Sequence, residues 1–104
     1  MKDIRGRMGA LDLADKSNVF NTDLIQALEL GAMVDIAQAM ALSALKREES
    51  RGSHQRLDFE VRDDEAYLKH SLAHYGGEDE PQIRYRDVVI TRSQPALRVY
   101  GGDV

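Results

Sequence analysis

Cysteine is absent from the 104 residues. That single absence excludes disulfide frameworks, thiolate metal sites and thiol nucleophiles, and it fits a reducing compartment. An excess of positive charge is also missing. Fourteen Lys and Arg stand against 18 Asp and Glu, a formal charge of −4, so nothing global draws the chain to nucleic acid or an anionic membrane. Any anion would have to be held by a local cluster. The N-terminus, MKDIRGRMGALDL, has no apolar signal core, and no run of about 20 apolar residues offers to span a bilayer. A glycine-rich phosphate loop is lacking too: Gly76-Gly77 punctuates a turn and Gly101-Gly102 lies near the end. These exclusions leave one cytoplasmic domain with a modest core and no nucleotide site of its own.

What is present begins with an oily segment. Residues 1 to 10 read as the end of a helix, with Ile4 and Met8 at i and i+4, followed by a turn-rich stretch to Asn21. From there one long helix is expected. Asn21 or Thr22 can cap it, Asp23 suits its positive end, Lys46 and Arg47 suit its negative end, and Gly52 is placed to stop it. Gly31, inside it, predicts a kink. From Ala32 to Leu45 only Asp35, Gln38 and Ser43 are polar, so the helix is apolar around its circumference. Such a helix needs cover on every side, and this run is too short for lipid. The cover must come from a larger protein, from a partner, or from a second copy in a dimeric bundle.

Beyond Gly52 the pattern changes. Asp63 and Asp64 open a short helical turn through Leu68, and KHSLAHY and QIRYRDVVIT flank GGEDEP as the arms of a β-hairpin. Pro95 ends the pattern, leaving ALRVYGGDV as an extended tail. The fold class is therefore mainly α: a long helix of a helical bundle, then a helical turn, a hairpin and a tail. Residues 1–52 form the bundle portion and 53–104 the ion-pair-rich loop, hairpin and tail, together one structural unit.

Three constellations bear on chemistry. His70 and His74 share a face and could sit on one metal, but no third ligand is evident, so no metal site is assigned. Ser50 or Ser53 with His54 and Asp58 has triad residue types, yet adjacency in sequence carries no triad geometry. No catalytic residue is assigned. What remains is a dense ionic cluster of Arg47, Glu48, Glu49, Arg51, His54, Arg56, Asp58, Arg62, Asp63 and Asp64. Arginine forks match carboxylates in bidentate pairs, so a web at a domain junction fits this cluster better than a merely solvated face.

Several separated blocks carry a resemblance: KSNVFNTDLIQALELG, SALKREESRGSHQRLD, RDDEAYLKHSLA, IRYRDVVIT and ALRVYGG. In order and spacing they resemble the C-terminal region of the flavoprotein subunit of fumarate reductases and succinate dehydrogenases. HQRLD and RVYGG lean toward bacterial quinol-fumarate reductases. Ser53 departs from the alanine usual there, and the loop from Leu57 to Arg62 lacks an insertion some relatives carry.

The resemblance implies a parent that carries FAD, interconverts fumarate and succinate by hydride transfer, and passes electrons through an iron–sulfur subunit to membrane quinone. It implies a parent complex held on the cytoplasmic face of the inner membrane by anchor subunits. The family's substrate-binding and flavin-linking residues map to no position here, so this chain is expected to be non-catalytic alone and to bind no cofactor directly. Its expected partner is the upstream flavin domain. Arg47, Glu49, Arg51, His54, Arg56, Asp58, Arg62, Asp63 and Asp64 are then the domain-interface network, with Arg51, His54 and Arg56 supporting the flavin site from behind. The competing reading is an independent helical module that forms a homodimer through its apolar helix.

Overall fold

A computed structural model describes residues 1–77 and 79–96. The expected tail from position 97 onward lies outside the described residues. In chain order the elements are α1 (Lys2–Met8), α2 (Thr22–Lys46), α3 (Asp64–Tyr67), β1 (Lys69–His74) and β2 (Gln82–Asp87).

Helix α2 is the axis of the structure, and its start is built by one side chain. Asn21 Oδ1 accepts from the Leu24 amide at 2.9 Å, taking up one of the orphan donors of the first turn. The same amide group donates through Nδ2 to the carbonyls of Asp15 and Ser17, both at 3.0 Å. Asn21 thus caps the helix and closes the preceding loop together. Phe20, next to it, takes φ +49° and is 95% exposed.

Two expectations for α2 are corrected. The helix passes through Gly31 without a break, and Met8 of α1 lies 3.7 Å from where a Gly31 Cβ would stand, an ordinary contact. The helix also stops at Lys46, not at Gly52. Arg47 turns extended, at φ −89° and ψ 97°, since its side chain is drawn away to β1 and Glu49. Gly52 instead supplies φ +59° to a tight turn in which Arg51 and His54 exchange backbone hydrogen bonds.

The full 25-residue helix is long and apolar enough to cross a bilayer by length and composition, which the shorter run from Ala32 to Leu45 is not. Asp35 at its middle argues against that placement. A carboxylate there is costly in lipid, and Asp35 Oδ1 instead accepts from Arg5 Nη2 of α1 at 2.5 Å, beside Gln38 Oε1 at 2.9 Å. Helix α1 lies along this polar strip.

The hairpin pairs antiparallel, from Lys69 opposite Asp87 to His74 opposite Gln82. Its second arm ends at Asp87, short of the expected Thr91. At the tip Gly77 has φ +68°, and a Cβ on Gly76 would lie 2.5 Å from the Glu80 carbonyl oxygen. Alternation aims Ser71, Tyr85 and their row toward the end of α2, and His70, Leu72, His74, Gln82, Arg84 and Arg86 outward.

Very little is buried. Among the described residues Val34 is the only buried apolar side chain and Glu49 the only buried charged one. The accessible surface is 8816 Å², against about 5,900 Å² for a compact monomer of this mass. The radius of gyration is 19.4 Å, where about 13 Å is usual. Ile36, Met40 and Leu45 are each at least 60% exposed. The oily helix is not covered by its own chain.

Gly31→Ala should be neutral or stabilise by up to about 1 kcal/mol, because it removes a helix-interior glycine and meets only an ordinary contact. Gly76→Ala should destabilise the hairpin, because the Glu80 backbone must move. Urea unfolding and amide exchange across β1 and β2 check both.

Candidate functional site

Where α2 ends, its last carbonyls need donors, and the segment after it supplies them. Arg56 Nη1 donates to the Leu45 carbonyl at 2.6 Å and also reaches those of Ala44 and Arg47. Tyr85 and Tyr67 hydroxyls donate to the Lys46 carbonyl at 3.1 and 3.4 Å. A guanidinium at a helix C-terminus also complements the dipole. Arg56 is itself held by both carboxylate oxygens of Asp58 and lies 4.7 Å from the Phe59 ring centroid.

Beside this cap sits a second cluster, centred on Glu49, whose side chain is 0% exposed. Oε1 accepts from Arg47 Nε at 2.8 Å and Arg51 Nε at 2.9 Å. Oε2 accepts from Arg51 Nη2 at 3.0 Å and the Asp63 amide at 2.9 Å. Four donors therefore saturate one carboxylate, and the Arg51 fork is bidentate. Arg47 continues outward, donating to the Lys69 carbonyl at 3.1 Å, to Ser71 Oγ at 2.9 Å and to the Tyr67 carbonyl, with its guanidinium 5.7 Å from the Tyr67 ring centroid. Arg51 Nη2 also reaches Asp64 Oδ1 at 2.6 Å, whose other oxygen takes Arg62 Nη2 at 2.6 Å. Arg62 in turn donates to the Ala96 carbonyl at 2.8 Å.

Burial pushes the Glu49 carboxyl up, but the hydrogen bonds from Arg51, the Asp63 amide and Arg47 outweigh it and hold the group below its ordinary 4.5. Asp64 is lowered chiefly by Arg51 and then Arg62. The Arg51 guanidinium is raised by Glu49, against its own partial burial.

The nine residues expected to form one web thus fall into two groups. Arg47, Glu49, Arg51, Asp64 and Arg62 are linked by ion pairs. Arg56 and Asp58 form a separate pair at the helix cap. Asp63 joins through its backbone, while its carboxylate caps α3 at the Ala66 amide. Among the described residues His54 makes no ion pair, and its Nε2 lies 3.1 Å from the Arg47 carbonyl. Glu48 is exposed. Sequence reasoning missed Tyr67 and Tyr85, which meet across the hairpin base with ring centroids 5.8 Å apart. It also missed Arg5, whose partner Asp35 lies 30 positions away. Only the unusual placement of an aspartate inside an oily helix signalled a distant cation.

The other constellations do not assemble. Ser50 Oγ donates to the Phe59 carbonyl at 2.7 Å and accepts from the Arg56 amide, and Asp58 is occupied by Arg56, so no nucleophile–base–carboxylate relay exists. Among the described residues no three His, Cys, Asp or Glu side chains converge as a metal site. The forks of Arg47 and Arg51 are consumed by Glu49, Asp64 and backbone carbonyls, and Gly76 and Gly77 are used up by the hairpin tip.

The model of the family described as "Fumarate reductase flavoprotein C-term" matches residues 1–100. The chain belongs to this family. It is 50% identical over 101 residues to the fumarate reductase flavoprotein subunit of Haemophilus influenzae, covering 97% of this chain and 17% of that one. It is 36% identical over 107 residues to the succinate dehydrogenase flavoprotein subunit of Rickettsia conorii, covering 96% of this chain and 18% of that one. The solved structure of E. coli quinol fumarate reductase FrdA, carrying a point substitution, superposes with a TM-score of 0.87 at 45% identity, over 99% of this chain and 18% of that one. The chain thus spans less than one-fifth of the length of these relatives. The higher identity lies on the fumarate reductase side, as HQRLD and RVYGG suggested.

Glu49→Gln removes the charge that four donors converge on and leaves two guanidinium groups without their anion. A loss of about 3 to 5 kcal/mol is expected, as for breaking a buried pair. Because the folded carboxyl is lowered, its contribution is fully present above the ordinary value of 4.5 and is lost as pH falls through the lower folded value. Urea unfolding at pH 7 and pH 4 should show wild type losing stability on acidification and Glu49→Gln losing less.

Proposed function

We propose that this chain serves as the C-terminal part of an FAD-dependent fumarate reductase or succinate dehydrogenase flavoprotein subunit, laid against that subunit's flavin domain. The chain performs no chemistry alone. The parent interconverts fumarate and succinate and passes electrons to an iron–sulfur subunit, in a complex attached through anchor subunits to the cytoplasmic face of the inner membrane. Residues 1–52 contribute the helical bundle portion and 53–104 the polar half of the same unit.

The observation that carries this reading is the exposed apolar surface. Much of that surface is carried by α2, and an obligate interface likewise resembles a domain core cut open. Ile25, Leu28, Ile36 and Met40 contribute to it along one side of α2. FAD in the parent is held by the flavin domain, the forks of Arg47 and Arg51 being already engaged by Glu49 and Asp64. Arg47, Glu49, Arg51, His54, Arg56, Asp58, Arg62, Asp63 and Asp64 form the network at the junction with the flavin domain, and within this chain Arg47 ties the end of α2 to β1, so that α2 meets the flavin domain as part of one rigid piece. Arg51, His54 and Arg56 support the flavin site by holding that piece in place. The homodimer module is not favoured: relatives align along almost the whole of this chain as a segment of a much longer one.

In the full-length subunit Arg51→Ala should lower flavin content several-fold, because it strands Glu49 and Asp64, whereas Lys46→Ala, an exposed side chain at the same helix end, should leave flavin content unchanged. Flavin absorbance per subunit after gel filtration measures both. Equal flavin in the two variants contradicts the reading.

A further inference from the structure

The outward face of the hairpin is chemically one-sided. The register places His70 opposite Arg86, Leu72 opposite Arg84 and His74 opposite Gln82, and all six side chains are exposed. Two guanidinium groups and two imidazoles thus share one sheet face with no carboxylate among them, in a chain whose formal charge is −4. The carboxylates of this region lie elsewhere: Asp87 is on the opposite face across from Lys69, and Glu80 pairs with Lys2. Among the described residues no carboxylate pairs with Arg84 or Arg86; Arg84 Nη2 meets only Gln82 Oε1, at 3.4 Å. The four arginines of the ionic cluster, Arg47, Arg51, Arg56 and Arg62, are by contrast each engaged by an acid.

We propose that this face docks an acidic polypeptide segment belonging to the same assembly. Arg84 and Arg86 project from one face two residues apart, about 7 Å along the strand. Carboxylates at alternate positions of an extended segment repeat at the same distance, and each can take a guanidinium in a bidentate pair. The number of charges selects this partner over the others. Lipid surfaces and nucleic acid backbones are held by clusters of about four to eight basic groups, and two arginines fall short of that. Two arginines do suffice to orient a segment that is already tethered nearby, because tethering turns the second contact into an intramolecular one. This inference rests on the chain being part of a larger subunit and complex.

The test places a photo-crosslinking p-benzoylphenylalanine at Leu72, the centre of the face, in the full-length subunit within its native assembly. The expected product joins position 72 to a segment with two or more Asp or Glu at alternate positions. Arg84→Glu with Arg86→Glu should cut its yield about tenfold, Arg84→Lys with Arg86→Lys should cut it less, and reversing the captured acids to Lys should restore it in the Glu variant. High salt should reduce it as well. Capture of lipid or nucleic acid, capture of a segment without acids, absence of any product, or a yield indifferent to charge reversal overturns the proposal. Flavin content measured on the same samples separates this from the functional reading. A flavin-replete subunit with no acidic cross-link sinks only the docking face, and an acidic cross-link in a subunit that binds no flavin sinks only the flavoprotein assignment.

Discussion

A buried carboxylate cannot be left half-satisfied, and Glu49 is where this chain meets that constraint. It is fully removed from solvent, so each of its lone pairs has to find a donor inside the molecule. The donors come from three directions. Arg47 leaves the end of α2, Arg51 leaves the turn, and the Asp63 amide precedes α3. Meeting the demand of one side chain therefore fixes where the helix stops, how the loop folds and where the hairpin starts. The arginines then have capacity to spare, which they direct to Tyr67, Lys69, Ser71 and Asp64.

The other end of the energetic scale is the apolar helix. Its sides are largely uncovered, so hydrophobic burial within the chain contributes little to the fold. Polar cross-bracing organises this chain, while its apolar surface remains available to a neighbour. Family membership and the proposed function give that division a sense. A segment meant to be laid on a larger body needs its shape set before its oily surface is covered, and directional ion pairs can set shape where a core cannot.

Much of the fold was legible in the sequence because it depends on local signals. Asn21 before a helical run, Asp63 before DEAY, and two β-rich arms around GGEDEP each announce an element through neighbouring residues. What escaped was set by distance. The stop at Lys46 is decided by Arg47 reaching residues more than 20 positions on, which outweighs the appeal of Gly52 as a terminator. Gly31 suggests an interruption, but α2 is continuous through it, held by the helical residues on either side. The ionic cluster was visible as composition, but its division into a Glu49 group and an Arg56–Asp58 cap was not, since charge counts do not say which carboxylate is buried. Tyr67 and Tyr85 gave no signal at all, because a hydroxyl that caps a helix looks in sequence like any strand aromatic.

The central claim is that α2 is covered by protein outside these 104 residues. Met33 and Met40 report on it directly, being 62% and 67% exposed in this chain, and thioether oxidation follows solvent access. Peroxide oxidation of both methionines should be compared, by peptide mass spectrometry, in the isolated chain and in the full-length subunit. The account predicts rapid conversion to sulfoxide in the isolated chain and strong protection of both residues in the subunit. Equal rates in the two samples would contradict it.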